Sequence, residues 1–115
     1  MFYKNRLRFK NVNIMIVNTQ SVNFHADKKL ILFIQKRMNK LDLFYDKVIK
    51  SDVFLKVENT KDKHNKIFEA KVSVPGDSLV VKKQCKTFEE SIDTAIASLE
   101  RQLKKRKEKL RFNLH

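Results

Sequence analysis

The densest run of functional side chains lies near the C-terminus. Seven cations (Arg101, Lys104, Lys105, Arg106, Lys107, Lys109 and Arg111) stand there beside a single acid, Glu108. Seven cations less one acid leave +6 within about three turns of helix. Such a run does not make or break bonds. It holds polyanions by neutralising phosphates and releasing their counterions. Cations four residues apart, such as Arg101/Lys105 and Lys105/Lys109, repel by about 0.2–0.5 kcal/mol per pair in an isolated helix. Keeping that cost points to a polyanion at this surface. Two or three basic residues would suffice to complement the negative end of a helix dipole, and seven exceed that need. A membrane-surface helix would require apolar residues free to enter lipid, whereas the leucines here fall on a stripe committed to a core. Lys36, Arg37 and Lys40 form a second basic strip upstream.

The remaining reactive side chains give little support to catalysis. His25, His64 and His115 sit at a helix entry, in a polar loop and at the terminus, and none has a Cys or carboxylate at metal-ligand spacing. Cys85 ends a strand, where a small buried hydrophobe is the ordinary role of a lone thiol. Glu89, Glu90 and Asp93 open a helix, where carboxylates favour the dipole. Glu58 and Glu69 face each other or a lysine across a sheet, which is ordinary surface chemistry. There is no Gly-rich phosphate loop. The chain therefore reads as a non-enzyme with no metal, cofactor or small-molecule substrate.

The whole chain shares the bias of its C-terminus: 26 Lys and Arg against 13 Asp and Glu give +13 over 115 residues. That balance attracts nucleic acid or an anionic surface. One cysteine excludes an intrachain disulfide and fits a reducing cytosol. No apolar run approaches the roughly 18–20 residues of a membrane span. The basic opening Met1–Lys10 lacks the apolar stretch and cleavage site of a secretory signal. A cytoplasmic protein is expected.

Six elements must position these cations. Asn13–Thr19 predicts a first strand, and Leu30, Ile34, Met38 and Leu41 follow helical spacing for a helix over about Asp27–Leu41. Three segments then show period two: Val53/Leu55/Val57 alternate with Phe54/Lys56/Glu58, Phe68/Ala70/Val72/Val74 with Glu69/Lys71/Ser73, and Leu79/Val81 and the less apolar Lys83 with Val80/Lys82/Gln84. Period two with one apolar face marks strands of a sheet covered on one side. Pro75-Gly76 suits the central pair of a type II turn and makes the last two strands antiparallel neighbours. Asn59–Asn65 reads as a polar, flexible loop.

Thr87 and Glu90 form a capping box. The helix they open places Ile92, Ala95, Ile96, Leu99, Leu103 and Leu110 on one stripe, with Arg101, Lys104, Lys105, Lys109 and Arg111 opposite. Arg106 falls in line with the leucines, which suggests that the last turns project past the sheet. The expected fold is α+β, β-α-β-β-β-α, with two helices on one face of a four-stranded sheet. Residues 1–13 form a basic, flexible extension, and residues 14–112 the single domain. Met15 is a candidate start. Two parallel helices would set the basic strips side by side across a groove. No aromatic ladder is present for stacking bases, so recognition by shape and phosphate, steeply salt-dependent, is expected.

Several segments, in order, resemble the ribosome hibernation-promoting factors, also known as sigma-54 modulation proteins or ribosome-associated inhibitors. They are Lys40–Val48, Val53–Glu58, Ala70–Gly76 and Ser91–Leu110. The Arg-Gln-Leu-Lys-Lys-x-Lys-x-Lys-Leu tail is the most specific of them. The resemblance implies a fold similar to double-stranded-RNA-binding domains. It also implies binding in the mRNA and tRNA channel of the small ribosomal subunit, on its rRNA, which would inhibit translation sterically in stationary phase or stress. The family's basic positions fall on Arg37 and Lys40, and on Arg101, Gln102, Lys105, Lys107 and Lys109, with Lys82 and Lys83 on the last strand. Lys36 and Lys104 join them from the charge map. The chain looks like a short form, monomeric off the ribosome. The alternative is a protein-interaction module that modulates transcription through an exposed apolar patch, which the sequence does not display.

Overall fold

The computed structural model describes residues 16–22, 24–58, 61 and 63–113. The expected basic extension, the residues Asn13–Met15 of the expected first strand, part of the 59–65 loop and His115 lie outside them. The elements are β1 (Val17–Val22), α1 (Lys28–Asn39), a 3-10 turn η1 (Lys40–Leu43), β2 (Lys50–Val57), β3 (Lys66–Val74), β4 (Asp77–Cys85) and α2 (Phe88–Asn113). This is the expected β-α-β-β-β-α order.

The four strands form one sheet in the order β1-β2-β3-β4. β1 runs parallel to β2, and the other neighbours are antiparallel. The parallel pair follows from the helix between its strands, since parallel neighbours need a long crossover. The β3–β4 hairpin turns at Pro75-Gly76, and Gly76 has φ +76°. That is close to what the second central position of a type II turn requires, at which a side chain would be strained.

Period two sorts the helix-covered face, although Ile67, on the other face of β3, is also buried. Ser51, Val53 and Leu55 on β2, Phe68, Ala70, Val72 and Val74 on β3, and Val81 on β4 are buried against the helices. Ile34, Met38 and Leu41 meet them from above, with Phe88, Ile92, Ala95, Ile96, Leu99 and Leu103 of α2. At about 25 cal/mol per Å² of apolar area, each fully buried leucine or isoleucine contributes roughly 1.5–3 kcal/mol.

Helix ends follow local chemistry. Asp27 is the N-cap of α1, its carboxylate accepting from the Leu30 amide at 2.8 Å. The Glu90 amide donates to the Thr87 hydroxyl at 3.1 Å. Each bond satisfies one of the amides a first turn leaves unpaired. Two expectations shift. The first strand starts at Val17 and continues to Val22. The first α-helix ends at Asn39, where the Lys40 amide bonds to Arg37 and Met38. Tightening into η1 still lets Leu41 reach the core, fully buried.

Candidate nucleic-acid interface

The sheet fixes where α2 lies. It packs on β3 and β4, whereas α1 packs on β1. Contacts between the two helical segments advance in the same direction along both: Phe24 stacks on Phe88 at 5.1 Å, Arg37 pairs with Asp93 at 3.1 Å, and Lys104 lies 4.8 Å from the Phe44 ring. The helices therefore run in the same sense, as expected.

At about 100° per residue, with Leu99 as the centre of the buried stripe, the α2 cations divide between two flanks. Lys104, Lys107 and Arg111 share the flank of Asp93, and the Asp93 and Lys104 contacts show that this flank faces α1 and η1. Arg101, Lys105 and Lys109 lie on the other flank, toward the β4 edge, and all three are exposed. Their spacing of four residues places them about 6 Å apart along the axis. Gln102 lies beneath this row, half-buried, and donates to the Ser98 hydroxyl at 3.3 Å.

The expected groove between two facing basic strips is thus only partly formed. Lys36 on α1 and Lys40 at the start of η1 are exposed. Arg37 turns into the seam, where it pairs with Asp93 and its guanidinium lies 4.8 Å from the Phe33 ring. An acid on α2 and an aromatic ring on α1 thereby occupy a cation that the sequence offers to a phosphate.

Lys82 and Lys83 separate as period two demands. Lys83 lies on the helix-covered face of β4, opposite Phe68, and is half-buried at the edge beneath α2. Lys82 is exposed on the open face, opposite Glu69, and so stands away from the helix cations. Adjacent lysines on one strand cannot share a surface.

Arg106 departs from its neighbours. Its guanidinium donates to the Asp77 carboxylate at 3.1 Å and to the Pro75 carbonyl at 2.9 Å. It is the cation that locks α2 onto the β3–β4 turn. The stripe position one turn later, Leu110, is 39% exposed. The expectation that Leu110 packs with the other leucines is therefore corrected: the buried stripe ends at Leu103, and Leu110 stands partly in solvent.

Sequence reasoning also missed apolar surface. Ile31 and Leu32 on α1 and Leu43 in η1 are 41%, 60% and 79% exposed. Ile31 and Leu32 fall outside the i, i+4 stripe, which was the available signal. In η1, burial and, secondarily, the neighbouring Asp46 charge raise the Asp42 carboxyl above its ordinary value. Among the described residues no three His, Cys, Asp or Glu side chains come together as a metal site, and no helix is long and apolar enough to cross a membrane.

A family model described as Sigma 54 modulation protein / S30EA ribosomal protein matches residues 17–111. A ribosome hibernation promoting factor of Pseudomonas putida is 28% identical over 95 residues, covering 83% of this chain and 89% of that protein. Two solved structures share the fold. A ribosomal subunit interface protein from Coxiella burnetii has a TM-score of 0.72 at 19% identity, over 81% of this chain and 98% of that one. The Thermus thermophilus Protein Y N-terminal domain has a TM-score of 0.67 at 22% identity, over 79% and 96%.

Proposed function

This chain belongs to the Sigma 54 modulation protein / S30EA ribosomal protein family, and on that premise we propose that it is a ribosome hibernation factor acting without catalysis. It binds rRNA of the small subunit in the channel that mRNA and tRNA would occupy, and it inhibits translation by occupying that space in stationary phase or stress. It works in the cytoplasm, needs no cofactor, and is monomeric off the ribosome.

The observation that carries this reading is the exposed row Arg101, Lys105 and Lys109 on a helix whose opposite stripe is buried to Leu103. A rigid row of cations about 6 Å apart suits a phosphate backbone, along which charges recur every 3.4 Å or so of axis per strand. Lys104, Lys107, Lys36 and Lys40 extend the positive field around it. Lys83 lies at the edge of the same side, and Lys82 would act only through the open face.

The test is sedimentation of a stationary-phase lysate. The protein should travel with small subunits and whole ribosomes at low salt and be released as salt rises. Recovery only at the top of the low-salt gradient would sink the reading. A second reading, a protein-contact module that modulates transcription, gains support from the exposed Ile31, Leu32 and Leu43. Binding through that surface would survive salt and fail when Leu32 and Leu43 become polar.

A further inference from the structure

We propose that Arg106 is a positioning residue, not a phosphate contact: it fixes the overhanging end of α2 by clamping it to the β3–β4 turn. This rests on the ribosome-binding reading above for its functional consequence, though the clamp itself can be tested on the free protein.

The supported part of α2 ends at Leu103, the last buried stripe residue. From Lys107 to Asn113 the helix runs on for roughly another 10 Å. Lys107, Glu108, Lys109, Leu110 and Arg111 are all exposed there. Such an end has two reasons to fray. Its residues 107–111 are exposed and so gain little of the tertiary packing from which most helical stability in proteins comes, and it carries repelling cations at i, i+4 spacing. Arg106, three residues past Leu103, still reaches the β3–β4 hairpin. Its side chain is only 21% exposed and bridges to Asp77, and a second nitrogen bonds the Pro75 carbonyl. The forked guanidinium is what permits both bonds at once, and a lysine has no such geometry. The turn is itself stiff. Proline fixes φ at Pro75, and the Asp77 carboxylate also accepts from its neighbour Ser78 at 2.7 Å. The helix end is therefore tied to a turn whose entry Pro75 fixes. An arginine so engaged has little left to offer a phosphate, while Lys107 and Lys109 beside it depend on where it holds the helix.

The prediction that separates positioning from contact runs against simple charge. Asp77→Asn makes a +13 chain more positive, so field effects alone would tighten binding to a polyanion. Asn keeps an oxygen for the Ser78 amide but loses the charge that holds Arg106. Arg106→Lys leaves net charge unchanged and removes the fork. If Arg106 positions the helix, both variants bind small subunits about three- to fivefold more weakly at fixed salt. The slope of log affinity against log salt stays as in the wild type, because the phosphates neutralised are the same in number. Hydrogen exchange on the free variants then shows faster exchange of the backbone amides of residues 107–113, with the β2 and β3 amides unchanged. Asp77→Asn binding as tightly as wild type, or more tightly, overturns the proposal, and so does unchanged exchange in residues 107–113. A wild-type protein that fails to bind small subunits refutes the ribosomal reading instead, and the exchange experiment still decides the clamp.

Discussion

Replacing Arg101, Lys105 and Lys109 together by glutamine should weaken polyanion binding while making the protein more stable. The three side chains are exposed on one flank of α2 at four-residue intervals, about 6 Å apart along the axis, so each can meet a separate phosphate. For every phosphate left un-neutralised, the slope of log affinity against log salt falls by about 0.7–0.9. Three such phosphates lower it by roughly 2.1–2.7. Between about 50 and 200 mM salt the wild type then drops roughly 20- to 40-fold more in affinity than the variant. The stability change has the opposite sign. Arg101/Lys105 and Lys105/Lys109 are like-charge pairs at i, i+4, and removing both repulsions contributes about 0.4–1 kcal/mol to helix stability. For a domain of this size that raises Tm by a few degrees. The assays are a salt titration of small-subunit binding and a calorimetric melt on the same preparations. An unchanged salt slope would refute the placement of the interface on this flank. A lower Tm would mean that these cations support the fold, and the repulsion argument would be wrong.

Lys82→Ala should leave the salt slope of small-subunit binding almost unchanged, since Lys82 stands on the open face of the sheet; a drop of nearly one unit would move the interface there. Thr87→Ala removes the acceptor for the Glu90 amide and should cost about 0.5–2 kcal/mol in denaturant unfolding, with Thr87→Ser recovering most of it. Asp42→Asn should raise Tm at neutral pH. The folded-state pKa of Asp42 is raised by burial and by Asp46, so its contribution is present at low pH and is lost as pH rises through that raised value. The gain of the Asn variant over wild type should therefore shrink as pH falls below the carboxylate range, and a gain that grows in acid would contradict it.

The sheet was legible because its signal is strictly periodic. Val53/Leu55, Phe68/Ala70/Val72/Val74 and Val81 recur at every second position, and all of these apolar side chains are buried. The α2 stripe through Leu103 was legible for the same reason at period 3.6. Periodicity says nothing about where a sheet ends, so Leu110 read as core although its side chain is 39% exposed. It also ranks residues by which side they face, not by what already holds them. Arg37 and Lys36 looked alike in sequence, yet only Arg37 meets Asp93, a partner 56 positions away in the chain. The start of α1 was marked by Asp27, but the change from α to 3-10 after Asn39 carries no residue signature, since Lys40 and Leu41 suit either geometry.

The cations of α2 are not one functional class, and the reason is geometric. A helix of 26 residues outruns the sheet that supports it, so its buried stripe must stop before its charge does. At the boundary a leucine would be left partly in water, as Leu110 is, whereas an arginine can lay its stem along the apolar surface and end on a carboxylate. Arg106 does this with Asp77. Placing the clamp there, not deeper, leaves Lys107, Lys109 and Arg111 exposed beyond it. The same choice explains why a self-repelling helix end is tolerable. The repulsion costs about 0.2–0.5 kcal/mol per pair, while a stripe of six or seven buried side chains contributes several times that sum. A shorter helix would fold more easily but would end where the exposed cations begin.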